Sequence, residues 1–303
     1  MSKIIIGIHG MGNKPEHRLL EKWWKSAIRE GLRKKGHFVF LKLKLVYWAS
    51  ILHPQPYNIH CADKKDPLFL DEPYRKSSNK PAPEKNNEMR KKIRDQINEQ
   101  FDRIFLEEDG SLNFSRISNF MVRHFAKDLD TYYRGPADEN GDHPRDRICR
   151  ELAETLHKNR RKQILLIAHS MGSIIAWDVL TKYVPEVEIH TLVTIGSPLG
   201  IPIVRSRILS EMKNAHKEKT RLKTPENIQN KWYNLADFKD RVAISYDLKS
   251  DFLPNSRHIQ PEDMLVYNNY EYDGDENHHK SYGYLRTAEM GDIIAAFLKR
   301  RLF

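Results

Sequence analysis

The run Gln163-Ile164-Leu165-Leu166-Ile167-Ala168 passes directly into His169-Ser170-Met171-Gly172-Ser173 and then into a second apolar stretch that begins at Ile174. A short, almost unbroken apolar run of this kind is how a strand buried on both faces of a parallel sheet reads. Small residues, Ala168 and Gly172, stand two places either side of a serine. That spacing predicts a strand that turns sharply into a helix with Ser170 at the corner. The flanking residues must be small because strand and helix approach closely there, and the strained turn presents the hydroxyl above the sheet. The first turn of the helix adds unpaired N–H groups and a positive dipole end beside Ser170. A plain helix N-cap is the other use of a serine at this place.

The rest of the chain supplies a setting for that turn. Lys3 to His9 is another buried-strand run, ending in Gly10-Met11-Gly12. Leu19, Trp23, Trp24, Ala27, Ile28 and Leu32 follow at helical spacing, with Gly36 as the stop, and Phe38 to Trp48 reads as a second strand. From Asp146 the alternation resumes: a helix to about Leu156, a strand Gln163 to Ala168, a helix Met171 to Tyr183 and a strand His190 to Ile195. Further strands are expected near Lys231 to Leu235 and Met264 to Tyr270, and Ala288 to Arg300 closes the chain as an amphipathic helix. The βαβαβ order predicts an α/β fold, a mostly parallel sheet with helices on both faces and right-handed crossovers.

Residues 53–145 interrupt this pattern with prolines, lysine-rich polar runs and two helical patterns, about Asn86 to Leu106 and Ile117 to Tyr133. The segment is too long for a simple loop. It is expected to be a cap or lid inserted into a core made of 1–52 and 146–303, with disorder in Lys76 to Asn87. In its second helix Ile117, Phe120, Met121, Phe125, Leu129 and Tyr132 share one side, a stripe that either lines a pocket or packs on the main core.

Lysine and arginine outnumber aspartate and glutamate 51 to 41, a formal net charge of +10. The excess favours anionic surfaces, including peripheral contact with an anionic membrane, yet no nucleic-acid motif accompanies it and most of it falls on exposed helix faces. Cys61 and Cys149 are isolated and have no metal-ligand spacing, which suits a reducing compartment. The apolar start is too short for a signal-peptide core, and no stretch approaches a membrane span, so a cytoplasmic location is expected.

A nucleophilic serine needs backbone donors aimed at the oxyanion of its tetrahedral intermediate. The residue after it, Met171, supplies one, and a loop after an early strand supplies another. His9-Gly10-Met11-Gly12 occupies that place, making the N–H of Met11 the candidate and His9 a residue that shapes the loop. A dinucleotide-binding loop is disfavoured, since Gly10-x-Gly12 lacks the third glycine and Pro15 follows.

With its strand-HGMG and AHSMGS segments the sequence resembles the α/β-hydrolase superfamily, and within it small bacterial lipases and esterases. The resemblance covers about 3–48 and 146–303 and leaves out the insertion. It implies that an acid and then a histidine follow Ser170, each on a loop after a late strand. Asp240, in a segment that looks like the D-x-V-A of related lipases, is the implied acid, with Asp237 as its rival. His279, in an H-x-S-Y segment, is the implied base, with His278 as its rival; most of the other histidines read as surface residues.

The implied activity is hydrolysis of a carboxylic ester, in a small molecule or lipid, without a cofactor. The same triad would also serve a thioesterase, an amidase or an acyltransferase, and a non-catalytic scaffold binding anionic lipid is the alternative outside enzymes. Asp273-Gly274-Asp275-Glu276-Asn277 begins like a calcium loop, but His278 stands where the glycine belongs and Tyr284 where the closing glutamate belongs, so a solvated acidic turn is expected and no metal.

Overall fold

The computed structural model describes residues 1–77, 120–215, 222–243 and 247–299. Six strands form one sheet: β1 (Lys3–Ile8), β2 (Leu43–Val46), β3 (Gln163–His169), β4 (Ile189–Ile195), β5 (Ile228–Ala236) and β6 (Pro261–Leu265). Their order across the sheet is β2-β1-β3-β4-β5-β6, and every neighbouring pair is parallel. The helices of eight residues or more among the described residues are α1 (His17–Lys34), α2 (Phe120–Arg134), α3 (Pro144–Lys158), α4 (Met171–Asp178), α5 (Pro202–Ala215) and α6 (Ala288–Leu298). This is the architecture of an α/β hydrolase.

Alternation along the strands explains their nearly continuous apolar sequence. In β1, Ile4, Ile6 and Ile8 face a core shared with α2, α3 and α4, while Ile5 faces a second core with α1 and α6. In β3, Ile164, Leu166 and Ala168 join the first core, and Leu165 and Ile167 the second. Both faces are covered, so neither set of side chains meets water. Phe125, Leu129 and Tyr132 of α2 are buried in the first core, which assigns these members of the amphipathic stripe to packing. The helical pattern at 86–106 and the disorder expected in most of 76–87 lie outside the described residues.

Two strands differ from their sequence patterns. Phe38 to Phe40 keep an alternating pattern but stay outside β2, because the register that sets Leu43 beside Ile5 carries them past Lys3, where β1 begins, while Lys42 O still accepts the Ile5 N–H at 3.0 Å. The last strand ends at Leu265 instead of running to Tyr270. Asp237 accepts the backbone N–H of Asn268 at 2.6 Å and draws the chain out of the sheet. The acidic run at 273 folds as a tight hairpin, with Glu271–Tyr272 pairing with Asp275–Glu276 and positive φ at Asp273 and Gly274, the geometry that Asp-Gly turns favour. Among the described residues no cluster of His, Cys, Asp or Glu is arranged to hold a metal, and no helix is long and apolar enough to cross a membrane.

An ionic network pins the helices on one side. Asp178, with no exposed side-chain surface, accepts from Tyr132 Oη (2.6 Å), from Arg145 Nε and Nη2 (3.0 and 2.7 Å) and from Lys182 (2.9 Å); Arg145 also grips both oxygens of Glu211 at 2.9 Å. Each buried charge has its partners, so the network is strong while intact and costly once one member is missing. Replacing Asp178 by Ala takes the acceptor from the Tyr132 hydroxyl and from Arg145 Nε, leaving Arg145 with Glu211 alone, and should lower stability by about 1–3 kcal/mol, read as a shift of the urea midpoint.

Candidate active site

The sheet order reverses at β1: the chain moves from β1 to β2 on one side, then to β3 on the other. A crevice opens at the carboxyl ends of strands at such a switch point, because the connecting loops diverge there. The two loops that bound it are Gly10 to Lys14, after β1, and the Ser170 turn, after β3.

Ser170 has φ 53° and ψ −127°, a conformation costly for any residue with a Cβ. Its N–H donates to Ile195 O (3.0 Å), and its carbonyl accepts from Ser173 Oγ (2.6 Å), which also pairs with Ser197 Oγ (2.8 Å). Gly172 must be small because of a different strand from the one the sequence spacing suggested: a Cβ there would stand 2.8 Å from His9 O and 2.9 Å from Ile8 O, at the end of β1. Gly10 is as close on the other side, its hypothetical Cβ 2.7 Å from Ser170 Cβ. The side chain of Ser170 makes no capping bond to α4, so the helix N-cap reading does not hold.

Instead Ser170 Oγ lies 2.8 Å from His279 Nε2. His279 Nδ1 is 2.9 and 2.8 Å from the two carboxylate oxygens of Asp240. Asp240 Oδ1 also accepts the backbone N–H groups of Val242 (2.9 Å) and Ala243 (3.2 Å), and Oδ2 accepts the Tyr284 hydroxyl (2.6 Å). Burial holds the Tyr284 phenol far above its ordinary pKa, with Asp240 adding to the effect, so it remains a donor. An acceptor at Nδ1 fixes the tautomer of His279 and leaves Nε2 free to take the serine proton.

The two rival residues sit elsewhere. Asp237 is buried, but its oxygens are occupied by the N–H groups of Lys239 (2.8 Å) and Asn268 (2.6 Å). His278 turns to Glu276 (3.0 Å), the carbonyl of Asn268 (3.1 Å) and Asp237 (3.5 Å), away from Ser170. Both build the loop that carries His279. Asn268 spans that loop, donating to His278 O (2.8 Å) and Lys280 O (2.9 Å).

His169 is buried, contrary to the surface expectation for most histidines, and bonds His279 O through Nε2 at 2.8 Å. Burial and the nearby His279 drive its pKa well below the ordinary value, so it is a neutral donor. Three successive carbonyls, of His278, His279 and Lys280, are thus held.

The loop after β1 is held as firmly. His9 Nε2 accepts from the N–H groups of Trp48 (3.1 Å) and Ala49 (3.3 Å), so Nδ1 carries the proton and donates to Gly10 O (2.8 Å). Lys14 Nζ donates to the carbonyls of Met11, Gly12 (3.0 Å) and Asn13 (3.2 Å), and Asp128 of α2 accepts the Gly12 N–H at 2.5 Å. Burial, with Lys280 nearby, pushes the Lys14 ammonium down to about 7. The Met11 N–H has no acceptor among the described residues, and Met171, first in α4, has no intrahelical one.

A cavity of about 190 Å³ opens beside the histidine between these loops, bounded by Met11, Lys14, Trp24, Leu70, His279 and Tyr282. Glu72 also borders it and joins Lys280 and Asn277 at 2.8 Å, tying 68–72 to the histidine loop. Sequence reading passed over His169, Asn268, Tyr284, Lys14 and Asp128. Only His169, next to Ser170, carried a local signal.

Residues 118–247 match the family model of the PGAP1-like alpha/beta domain. The matched stretch has a hydrolase-like fold of the lipase and esterase kind; it includes Ser170 and Asp240 and stops short of His279. No curated protein matches the chain.

His278 yields a pH test of the loop. Burial disfavours its charge, but Asp237 and Glu276 outweigh burial and raise its pKa above the ordinary value. Its stabilising contribution is therefore complete below the unfolded value of about 6.5 and is lost as pH rises through the higher folded value. His278→Asn should lower the melting temperature more at about pH 5.5 than at about pH 8.5; an equal effect at both would contradict the assignment.

Proposed function

We propose that the protein is a serine hydrolase that cleaves a carboxylic ester through an acyl-enzyme on Ser170. The observation that carries this reading is the unbroken contact from Ser170 Oγ through His279 to Asp240, at 2.8 Å on either side of the ring. His279 Nε2 takes the hydroxyl proton as Oγ attacks the ester carbonyl, and Asp240 stabilises the imidazolium. The N–H groups of Met11 and Met171 receive the oxyanion, each contributing on the order of 3 kcal/mol to the transition state.

Collapse of the intermediate breaks the bond to the alcohol oxygen, which leaves with the proton from Nε2. Water activated by the same nitrogen then releases the acid and restores Ser170. The scheme requires no cofactor. Glu72, Leu70 and Tyr57 at the cavity support reading 53–145 as a cap over the substrate.

Ser170→Ala should abolish both p-nitrophenyl acetate hydrolysis and labelling by a fluorophosphonate; labelling at the parent level would remove Ser170 as nucleophile. Asp240→Asn should lower kcat on the order of 10⁴-fold by releasing the tautomer. Asp128→Ala frees the Gly12 N–H and lets the oxyanion loop drift, so kcat should fall by up to about 100-fold while KM changes little. A matching rise in KM with kcat intact would assign Asp128 to substrate binding instead.

A further inference from the structure

At the far end of the sheet from the Ser170 crevice, Phe38 and Phe40 are 88 % and 89 % exposed, although neighbouring Leu41 is buried and Val39 packs against the same core. Residues of one parity along an extended chain share a face. Phe38 and Phe40 therefore continue into Lys42 and Lys44, both exposed, so that one outward row carries two aromatic rings and then two ammonium groups. Lys42 and Lys44 form no ion pair among the described residues.

The last turn of α1 precedes this row in the chain, but α1 packs on the opposite face, against Leu41, Leu43 and Leu45, so the cations of the row are its own two lysines. Lysine alone on an edge strand is a common guard against strand-to-strand pairing. Two nearly bare phenylalanines beside it work against that purpose, because they expose apolar surface at the very edge that charge would protect.

We infer that the Phe38-Phe40-Lys42-Lys44 row docks the protein on an anionic phospholipid surface. The rings enter the boundary between headgroups and acyl chains, while the lysine stems lie along the apolar region with their ammonium groups at the phosphates. The two ammonium groups meet a negatively charged leaflet, and this charge complementarity selects lipid over a second copy of the chain, whose identical row would meet it with like charge. β2 runs from this row toward Trp48, which bonds His9, so docking here leaves the Ser170 crevice facing away from the bilayer. The inference concerns location and is independent of the proposed hydrolysis.

Co-sedimentation of the full chain with phosphatidylglycerol vesicles and with phosphatidylcholine vesicles tests it. The protein should bind the anionic vesicles, lose that binding as salt is raised, and bind the zwitterionic ones weakly. Lys42→Ser and Lys44→Ser should each weaken binding about fivefold, and Phe38→Ser with Phe40→Ser should abolish it, while p-nitrophenyl acetate hydrolysis stays at the parent rate in all variants. Binding indifferent to lipid charge, no binding, or parental binding by the phenylalanine variant would overturn the inference. So would self-association in sedimentation that disappears in the phenylalanine variant, since it would make a second copy the occupant.

Discussion

A left-handed serine at the end of a buried strand costs on the order of 1–3 kcal/mol, and the surroundings of Ser170 account for its persistence. Its N–H is taken by Ile195 O, and its carbonyl is bonded by the Ser173 hydroxyl, itself paired with Ser197. β1 approaches so closely that only glycine fits at 10 and 172. The strain is thus distributed over two flanking strands, β1 and β4. What it achieves is geometric: the hydroxyl leaves the sheet at the one point where a ring nitrogen from near the other end of the chain can reach it.

Both halves of the candidate site rest on rigid scaffolding of this kind. Carbonyls on the histidine loop are bonded by His169 and Asn268, and carbonyls on the loop after β1 are gathered by Lys14. A backbone whose carbonyls are held on one side has its N–H groups fixed too, and preorganised donors require no rearrangement during reaction. The Asp128 contact carries the same logic to α2, a helix that belongs by sequence to the insertion yet buries Phe125, Leu129 and Tyr132 in the main core.

The comparison of sequence and structure is instructive where patterns were local and where they were not. Strands β1 and β3 were legible because burial on both faces produces an apolar run with no polar gap. Phe38 to Phe40 carries a good strand pattern yet lies outside the sheet, because pairing needs a neighbour and β1 begins only at Lys3. The end of the last strand was misplaced for a similar reason: Asp237, distant in sequence, takes the N–H of Asn268. In the Ser170 turn the identity and spacing of side chains already encoded the sterics. For Asp240 and His279 the choice over Asp237 and His278 rested on resemblance, since neighbouring acids and neighbouring histidines look alike in a one-dimensional pattern.

The sequence by itself determined the parallel α/β core, the serine corner and the glycine loop beside it, because burial patterns and turn geometry are written in residues a few positions apart. Tertiary structure decided which carboxylate faces His279, that His169 is an interior support, and that Lys14 and Asp128 brace the loop after β1. Those are contacts between segments tens to more than a hundred residues apart, or between side chains and backbone carbonyls, and no periodicity records them. The bare row at Phe38 and Phe40 belongs to the same class, since its exposure depends on which face of the edge segment other elements cover.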